Sequence, residues 1–394
     1  MKSNFEKVVY YLDTDICITL DKYRDKSITK KAKIGVLEGK IIINFSADDI
    51  ESQRFMTDCS YAIQENPYVD MEINGRVIRG FIIYTDTVFC KNHEVYIGTS
   101  INKLEINVAP GLCEHAILKF GKNINVKNIF KFSTLMNYSF HISDEDESNV
   151  IKIKKSDNSD IEIDEMMLFL NQIRYFISFL NGRFINSNSI ELFDKNNERV
   201  LIQLFPGLQT KASHSVLTEE MEAKINHLFE KFICICDFES LKRVISMYLT
   251  VNSSRNIDLI SSVIISKTAI EVLIDRIPTP SFISEENWEK NKSFGKIEKY
   301  LESISANVFL GNARELQALG ACCGSTPFDL VNRIRNDLVH SEQKIIPDMD
   351  RSAVLLMETH TILLLFLEKI ILNLLEYHGT YLQRDVSPML AKEI

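Results

Sequence analysis

Arg335, Asn336 and His340 are residues of this chain whose types and spacing could do chemistry together. They lie in the run Phe328-Asp-Leu-Val-Asn-Arg-Ile-Arg-Asn-Asp-Leu-Val-His340, where Val331, Ile334 and Leu338 recur at helical spacing and predict one amphipathic helix. At about 3.6 residues per turn, Asn336 and His340 stand nearly one above the other. Arg335 lies ~140° round the helix from His340, so only a long side chain curling back brings its guanidinium toward the imidazole. A guanidinium, an amide and an imidazole gathered at one helical edge suit a phosphodiester. The guanidinium holds two phosphate oxygens at once, and the imidazole gives or takes a proton near neutral pH. Spacing alone does not decide the matter, because ordinary helices carry Arg and His on a solvated face.

The elements that must position these groups change character along the chain. Residues 1–155 read as an antiparallel β-rich, sandwich-like domain. Val69–Ile73 and Arg76–Arg79 flank Asn74-Gly75, a two-residue hairpin signal; Lys40–Phe45 precedes them, and Phe81–Tyr84, Glu94–Ile97 and Leu104–Val108 follow as strand-length pieces. Tyr138–Ile142 and Val150–Lys154 bracket an acidic tip at 144–147 and predict a second hairpin. Residues 156–238 read as a connecting region packed on that domain. It has a helical face from Met166 to Leu180 stopped by Asn181-Gly182, a strand at Val200–Phe205, and one helix from Thr218 to Cys236 capped by Thr218. Residues 239–394 read as an all-α bundle: helices at 241–249, 257–277, 294–301, 313–322 and 328–340, then a long apolar helix reaching Leu375. The fold class expected is therefore α+β.

Composition narrows the functions. With 394 residues there is ample chain for more than one core, and 45% apolar with 25% charged residues is ordinary for a globular protein. A net charge of −9 provides no global field for nucleic acid or anionic membrane, so any RNA contact must be local. The eight cysteines include no C-x-x-C pair, and neither they nor the scattered histidines (93, 115, 141, 214, 227) have zinc spacing. Buried free thiols in a reducing compartment are expected, with neither metal nor cofactor. Met1–Lys7 has no signal-peptide apolar run, and the apolar stretch 353–375 is interrupted by Glu358, His360, Glu368, Lys369 and Asn373. A cytoplasmic, soluble protein is expected.

Arg335-Asn336-x-x-x-His340 ahead of a long apolar helix resembles the R-[polar]-x(3 to 5)-H motif of HEPN domains. Thr268-Ala-Ile-Glu-Val-Leu273, the helix ending Phe179-Leu-Asn-Gly182, and Leu375-Glu-Tyr-His-Gly-Thr-Tyr381 look like the ApeA-type branch of that superfamily. The resemblance implies a metal-independent endoribonuclease of bacterial anti-phage defence, acting by abortive infection. Such domains form homodimers with the motifs facing one another. It implies attack of a ribose 2′-OH on phosphorus in a tRNA or mRNA substrate, leaving a 2′,3′-cyclic phosphate. His340 would be the acid or base, Arg335 the stabiliser of phosphorane charge, and Asn336 the orienting or phosphate-binding group. The β-rich domain would then sense a phage-derived trigger or restrain the nuclease.

Other readings stand beside this one. His340 could be a polar helix-end residue, and Arg335 a surface ion pair with Asp337 or Glu342, or a partner of Glu271 across the bundle. Asp337 would repel substrate unless it points at Arg333. His360 and His378 read as core or interface residues. Trp288 with Lys290, Lys292, Lys296 and Lys299 could form an RNA rim, but solvated charge on a loop and short helix is the better account. The chain as a whole could be a non-catalytic HEPN dimerisation or RNA-binding scaffold beside a β interaction domain, or a regulator whose β domain binds a small ligand.

Overall fold

The computed structural model describes the chain apart from residues 1–8, 21–22, 38–39, 47–48, 50–67, 74–75, 83–88, 92–93, 100–103, 108–110, 122–132, 145–147, 205–214, 254–257, 309–312, 341–348, 383–390 and 394. The fold is α+β, with antiparallel strands first and helices after them. It divides into two compact units: Met1–Leu168 with Asn186–Leu208, and Phe169–Ile185 with Gln209–Ile394. The stretch 156–238, read above as a connector, is shared between them.

The first unit holds two seven-stranded sheets. The first sheet comprises β1 (Val9–Leu20), β2 (Tyr23–Leu37), β3 (Lys40–Ser46), β4 (Tyr68–Ile73), β5 (Arg76–Ile82), β6 (Phe89–Lys91) and β7 (Glu94–Thr99). Its order is β5-β4-β1-β2-β3-β7-β6. The second comprises β8 (Leu104–Asn107), β10 (His115–Gly121), β11 (Thr134–Leu135), β12 (Tyr138–Asp144), β13 (Ser148–Lys155), β15 (Ser189–Phe193) and β16 (Arg199–Leu204), while β9 (Leu112–Cys113) pairs separately with β14 (Ile161–Glu162). The order of the second sheet is β11-β12-β13-β10-β15-β16-β8. Both expected strand pairs form: Ile73 lies opposite Arg76, and Asp144 opposite Asn149. The turns themselves, 74–75 and 145–147, lie outside the described residues.

Period-2 alternation fixes the second sheet's core face, on which Ala116, Leu118, Phe120, Ile151, Ile153, Ile190 and Leu192 are buried. The opposite face carries Glu191, 1% exposed, with Arg199 Nη2 at 2.6 Å and Lys119 Nζ at 3.2 Å from its carboxylate. Two cations from neighbouring strands thus neutralise one buried acid. Beside it His115 is buried and stacks on Phe193 at 5.2 Å, and burial pushes its imidazole below the usual value. In the first sheet the Lys30–Lys33 cluster is partly neutralised, with Lys30 Nζ 2.5 Å from Asp49 and Lys31 Nζ 3.9 Å from Asp13.

The second unit is helical. α1 (Ile163–Asn181), whose residues from Phe169 belong here, stops at Gly182 with φ +64, as Asn181-Gly182 predicts. Its Phe176 packs on Phe229 and Phe232, and Phe179 on Tyr248. The single helix expected over 218–236 is instead two, α2 (Glu219–Ala223) and α3 (Ile225–Cys234). Thr218 caps α2 as expected, its hydroxyl accepting from Met221 N, but the Lys224 N–H turns to the Met221 carbonyl at 3.1 Å and tightens the chain out of the α pattern.

Then follow α4 (Phe238–Ser253), α5 (Leu259–Ile274), α6 (Glu285–Lys290), α7 (Ser293–Ser303), α8 (Arg314–Cys323), α9 (Pro327–His340) and α10 (Met349–Leu374). α5 is apolar nearly all round and packs on α4, α7, α9 and α10. Tyr248 of α4 donates to Glu368 of α10 at 2.7 Å, both buried.

The chain after α10 pairs β17 (Thr380–Leu382) with β18 (Ala391–Glu393), a hairpin that the sequence pattern does not announce. Its entry is latched to the start of α2. Thr380 donates its N–H and its hydroxyl to Glu220 Oε2 at 2.9 and 3.0 Å, and its carbonyl accepts from Thr218 and Tyr377. Hydrogen bonding from Lys224, then from Thr380, pulls the Glu220 carboxyl down to about 2. A Cβ on Gly379 would lie 2.3 Å from Glu220 Oε1, so only glycine fits while the carboxylate is in place.

Because Glu220's folded pKa is depressed from 4.5, its contribution is fully present above that value and is lost as pH falls toward about 2. Gly379→Ala and Glu220→Gln should each lower the denaturant midpoint at pH 7. The difference from wild type should shrink between pH 4.5 and 2, read by equilibrium unfolding across pH. Midpoints unchanged at pH 7 would show that the latch contributes nothing.

Candidate active site

α9 is built where the sequence predicts it, and its punctuation is local. α8 ends on Gly324 at φ +61, Thr326 accepts the Asp329 N–H at 3.2 Å as a cap, and Pro327 opens the first turn. Phe328, Leu330, Val331 and Ile334 are buried. Phe328 anchors the helix: it stacks on Phe294 at 5.3 Å, meets Phe366 at 6.3 Å, and its backbone N–H donates to Asn307 at 3.0 Å.

The three motif residues emerge at the far end of this helix. Arg335 is half-buried and its Nη1 donates to Asn336 Oδ1 at 3.1 Å, which brings the guanidinium to the amide one turn before His340. The Arg335 Nε is buried with no hydrogen-bond partner among the described residues. Asn336 and His340 are exposed. Glu271 does not take Arg335, because its carboxylate accepts from Lys267 Nζ at 2.8 Å. Arg333 lies 3.9 Å from Asp329 and donates to Ser325 at 2.9 Å, so its charge is spent on the near side of the helix.

Lys267 is the group that sequence reading passed over. It is 1% exposed, its ammonium lies 5.2 Å from the Phe328 ring centroid, and burial followed by the nearby Arg335 charge pushes its pKa down against the pull of Glu271. A cation one residue before Thr268, in a run as apolar as Val263–Ile274, and four residues before an acid, was the available signal. A buried ammonium therefore stands in the Coulomb field of the motif arginine.

Other candidates resolve differently. His360 faces Ser266, with Nδ1 3.4 Å from the buried hydroxyl. Glu358 on the same helix accepts the Leu316 N–H at 2.8 Å and so holds the start of α8. Trp288 is 2% exposed with Lys296 Nζ 5.3 Å above its ring, and Lys290 pairs with Glu286; the ring is buried and forms no aromatic rim. Among the described residues no group of three or more His, Cys, Asp or Glu is gathered as a metal site, and no helix is long and apolar enough to cross a membrane. The described thiols, including Cys113 and the exposed Cys322 and Cys323, are free.

The unit is thus a helical assembly bearing an Arg–Asn pair and an exposed histidine on one helix end. Residues 237–392 match the family model described as the YopA C-terminal domain. No curated protein and no solved structure matches the chain.

Breaking the Lys267–Glu271 pair from either side should have unequal effects. Lys267→Met removes the buried charge with little change of volume and is expected within about 1 kcal/mol of wild type, or more stable. Glu271→Ala leaves the ammonium buried and should cost about 2 kcal/mol, less than for a fully buried pair because Glu271 is a third exposed. Urea unfolding of the two variants decides it. A larger loss for Lys267→Met would mean that the charge, not the stem, holds α5 to α9.

Proposed function

We propose that the helical unit is a metal-independent endoribonuclease of the HEPN type, in a protein of bacterial anti-phage defence. The observation that carries the reading is the Arg335–Asn336 hydrogen bond one turn before the exposed His340. A dianionic phosphorane is the species such a guanidinium would stabilise.

In this reading an unpaired RNA segment, of tRNA or mRNA, lays a phosphate against Arg335 and Asn336. One imidazole takes the proton of the ribose 2′-OH as that oxygen bonds to phosphorus. The P–O5′ bond breaks, the leaving oxygen takes a proton, and the products are a 2′,3′-cyclic phosphate and a 5′-OH. His340 serves one of these transfers, and His340 of a second copy serves the other. Exposed Val339, Val354 and Met357, the last at 53%, lie at the ends of α9 and α10 that flank the motif and supply apolar surface for such a homodimer. Met357→Glu should shift sedimentation toward monomer and lower cleavage in the same proportion. A variant that is fully monomeric and fully active would remove the two-copy site.

The direct test is cleavage of total tRNA and mRNA by the purified protein in EDTA, alone and with lysate of phage-infected cells, with product ends analysed. His340→Ala should lose about 10²–10⁴-fold. Arg335→Lys, which keeps the charge but not the fork, should lose about 10²-fold. Equal cutting by wild type and His340→Ala, or silence of both in every lysate, would reject the assignment.

A further inference from the structure

The second unit carries a shallow groove of about 490 Å³ away from the Arg335–His340 helix end, lined by Phe282, Ile283, Asn287, Lys299, Glu302 and Ser303. Its aromatic wall is placed with care. Pro278 and Pro280 fix φ on either side of Thr279, and the Ile283 N–H closes a turn on the Pro280 carbonyl at 3.2 Å. Phe282 is held at the tip of that turn, edge-to-face on Tyr300 at 5.9 Å, and Tyr300 is itself buried and bonded to Asn373 at 3.0 Å. Yet the Phe282 ring is 48% exposed. A rigid, buttressed aromatic ring left half in solvent is surface available for stacking.

The polar groups around it are unspent. Asn287 lies in the first turn of α6, where its backbone N–H donates to the Ser284 cap at 3.4 Å. Among the described residues the Asn287 carboxamide, the Lys299 ammonium and the Glu302 carboxylate make no side-chain hydrogen bond or ion pair. Ser303 donates its proton to the Tyr300 carbonyl at 2.7 Å and keeps its lone pairs as acceptors. A carboxamide offers a donor and an acceptor together, matching the edge of a nucleobase, and a carboxylate accepts from an exocyclic amine. Glu298, whose carboxyl is raised by burial and then by Glu302 and Asp329, marks that wall as acidic. An acidic wall disfavours bare phosphate and favours an amino group; the single ammonium of Lys299 serves one adjoining phosphate.

We propose that the groove formed by Phe282, Asn287, Lys299 and Glu302 is a binding site for one unpaired, amine-bearing nucleobase, adenine or cytosine, with its adjoining phosphate. It rests on the ribonucleolytic reading only for its source, an RNA strand whose scissile phosphate lies elsewhere on the unit. The ring that stacks is Phe282, and not the Trp288 that sequence alone suggests.

The test measures binding of the full-length protein to 2′-O-methylated ten-residue strands, which cannot be cleaved, by fluorescence anisotropy. The adenine strand should bind about tenfold tighter than an abasic strand and tighter than a uracil strand. Phe282→Ala should weaken the adenine strand about tenfold, Asn287→Ala should reduce the preference over uracil, and Phe282→Tyr should bind as wild type. Because the strands cannot be cleaved, binding is read independently of nuclease activity, and failure of the nuclease reading leaves this result standing. Adenosine monophosphate binding as tightly as the strand, with the same loss in Phe282→Ala, would support the base site and assign it to the free nucleotide. Equal binding of abasic and adenine strands, Phe282→Ala binding like wild type with an unchanged melting curve, or no binding of strand or nucleotide by wild type would overturn the proposal.

Discussion

A positive charge buried in the helical unit constrains much of what surrounds it. Lys267 is 1% exposed, and removing an ammonium from water is costly unless it is paired and its donors are used. The unit meets that requirement with Glu271 one turn along α5 and with the face of Phe328 on α9. Both solutions have consequences. Glu271 is engaged and no longer competes for Arg335, and Phe328 must stay where Phe294 and Phe366 also hold it. The pitch of α9 is therefore set by a cation–aromatic contact at its start, while the groups with chemical potential lie three turns later at its end.

That separation explains why the helix end can be polar without loosening the fold. The buried face of α9 is Phe328, Leu330, Val331 and Ile334, while Asn336 and His340 are exposed and Arg335 is half-buried. Arg335 is aimed by one charge-assisted hydrogen bond to its neighbour's amide oxygen. That bond is exposed to solvent, and a phosphate oxygen, itself charged, is the stronger acceptor and can replace it. The first unit treats buried charge in the opposite way. There Glu191 is clamped by Arg199 and Lys119 together, which fixes strands in register and leaves little for a ligand to gain.

Much of this architecture was legible in the sequence. Alternation announced the β12–β13 pairing, and 3.6-residue periodicity announced α1, α5, α9 and α10 to within a few residues. What escaped was decided by contacts between distant segments. The break at Lys224 depends on a tight turn and on Glu220, which is occupied by Thr380 some 160 residues later. The β17–β18 hairpin is too short to carry a pattern. Trp288 looked like a surface ring because lysines surround it, yet one of those lysines lays its ammonium over the ring and the rest of the indole is covered. Lys267 is missed for the converse reason: its position in an apolar run four residues before Glu271 hints at burial, but periodicity alone cannot tell a snorkelling lysine from a buried one.

The segments whose sequence carries the family likeness do not all carry chemistry. In 375–381, Tyr377, Gly379 and Thr380 form the latch on Glu220, and in 268–273 Ala269, Ile270 and Leu273 are core while Glu271 attends the buried ammonium. These are packing and pairing roles, and they would be kept by any relative that folds this way, whether or not it cuts RNA. What separates a nuclease from a scaffold on this frame is confined to a few side chains that the core does not require. An imidazole that is solvent-exposed and not needed for packing is dispensable in a scaffold and indispensable in a catalyst. His340 is therefore the side chain at which the two readings differ most, since it is exposed and contributes nothing to the buried face of α9.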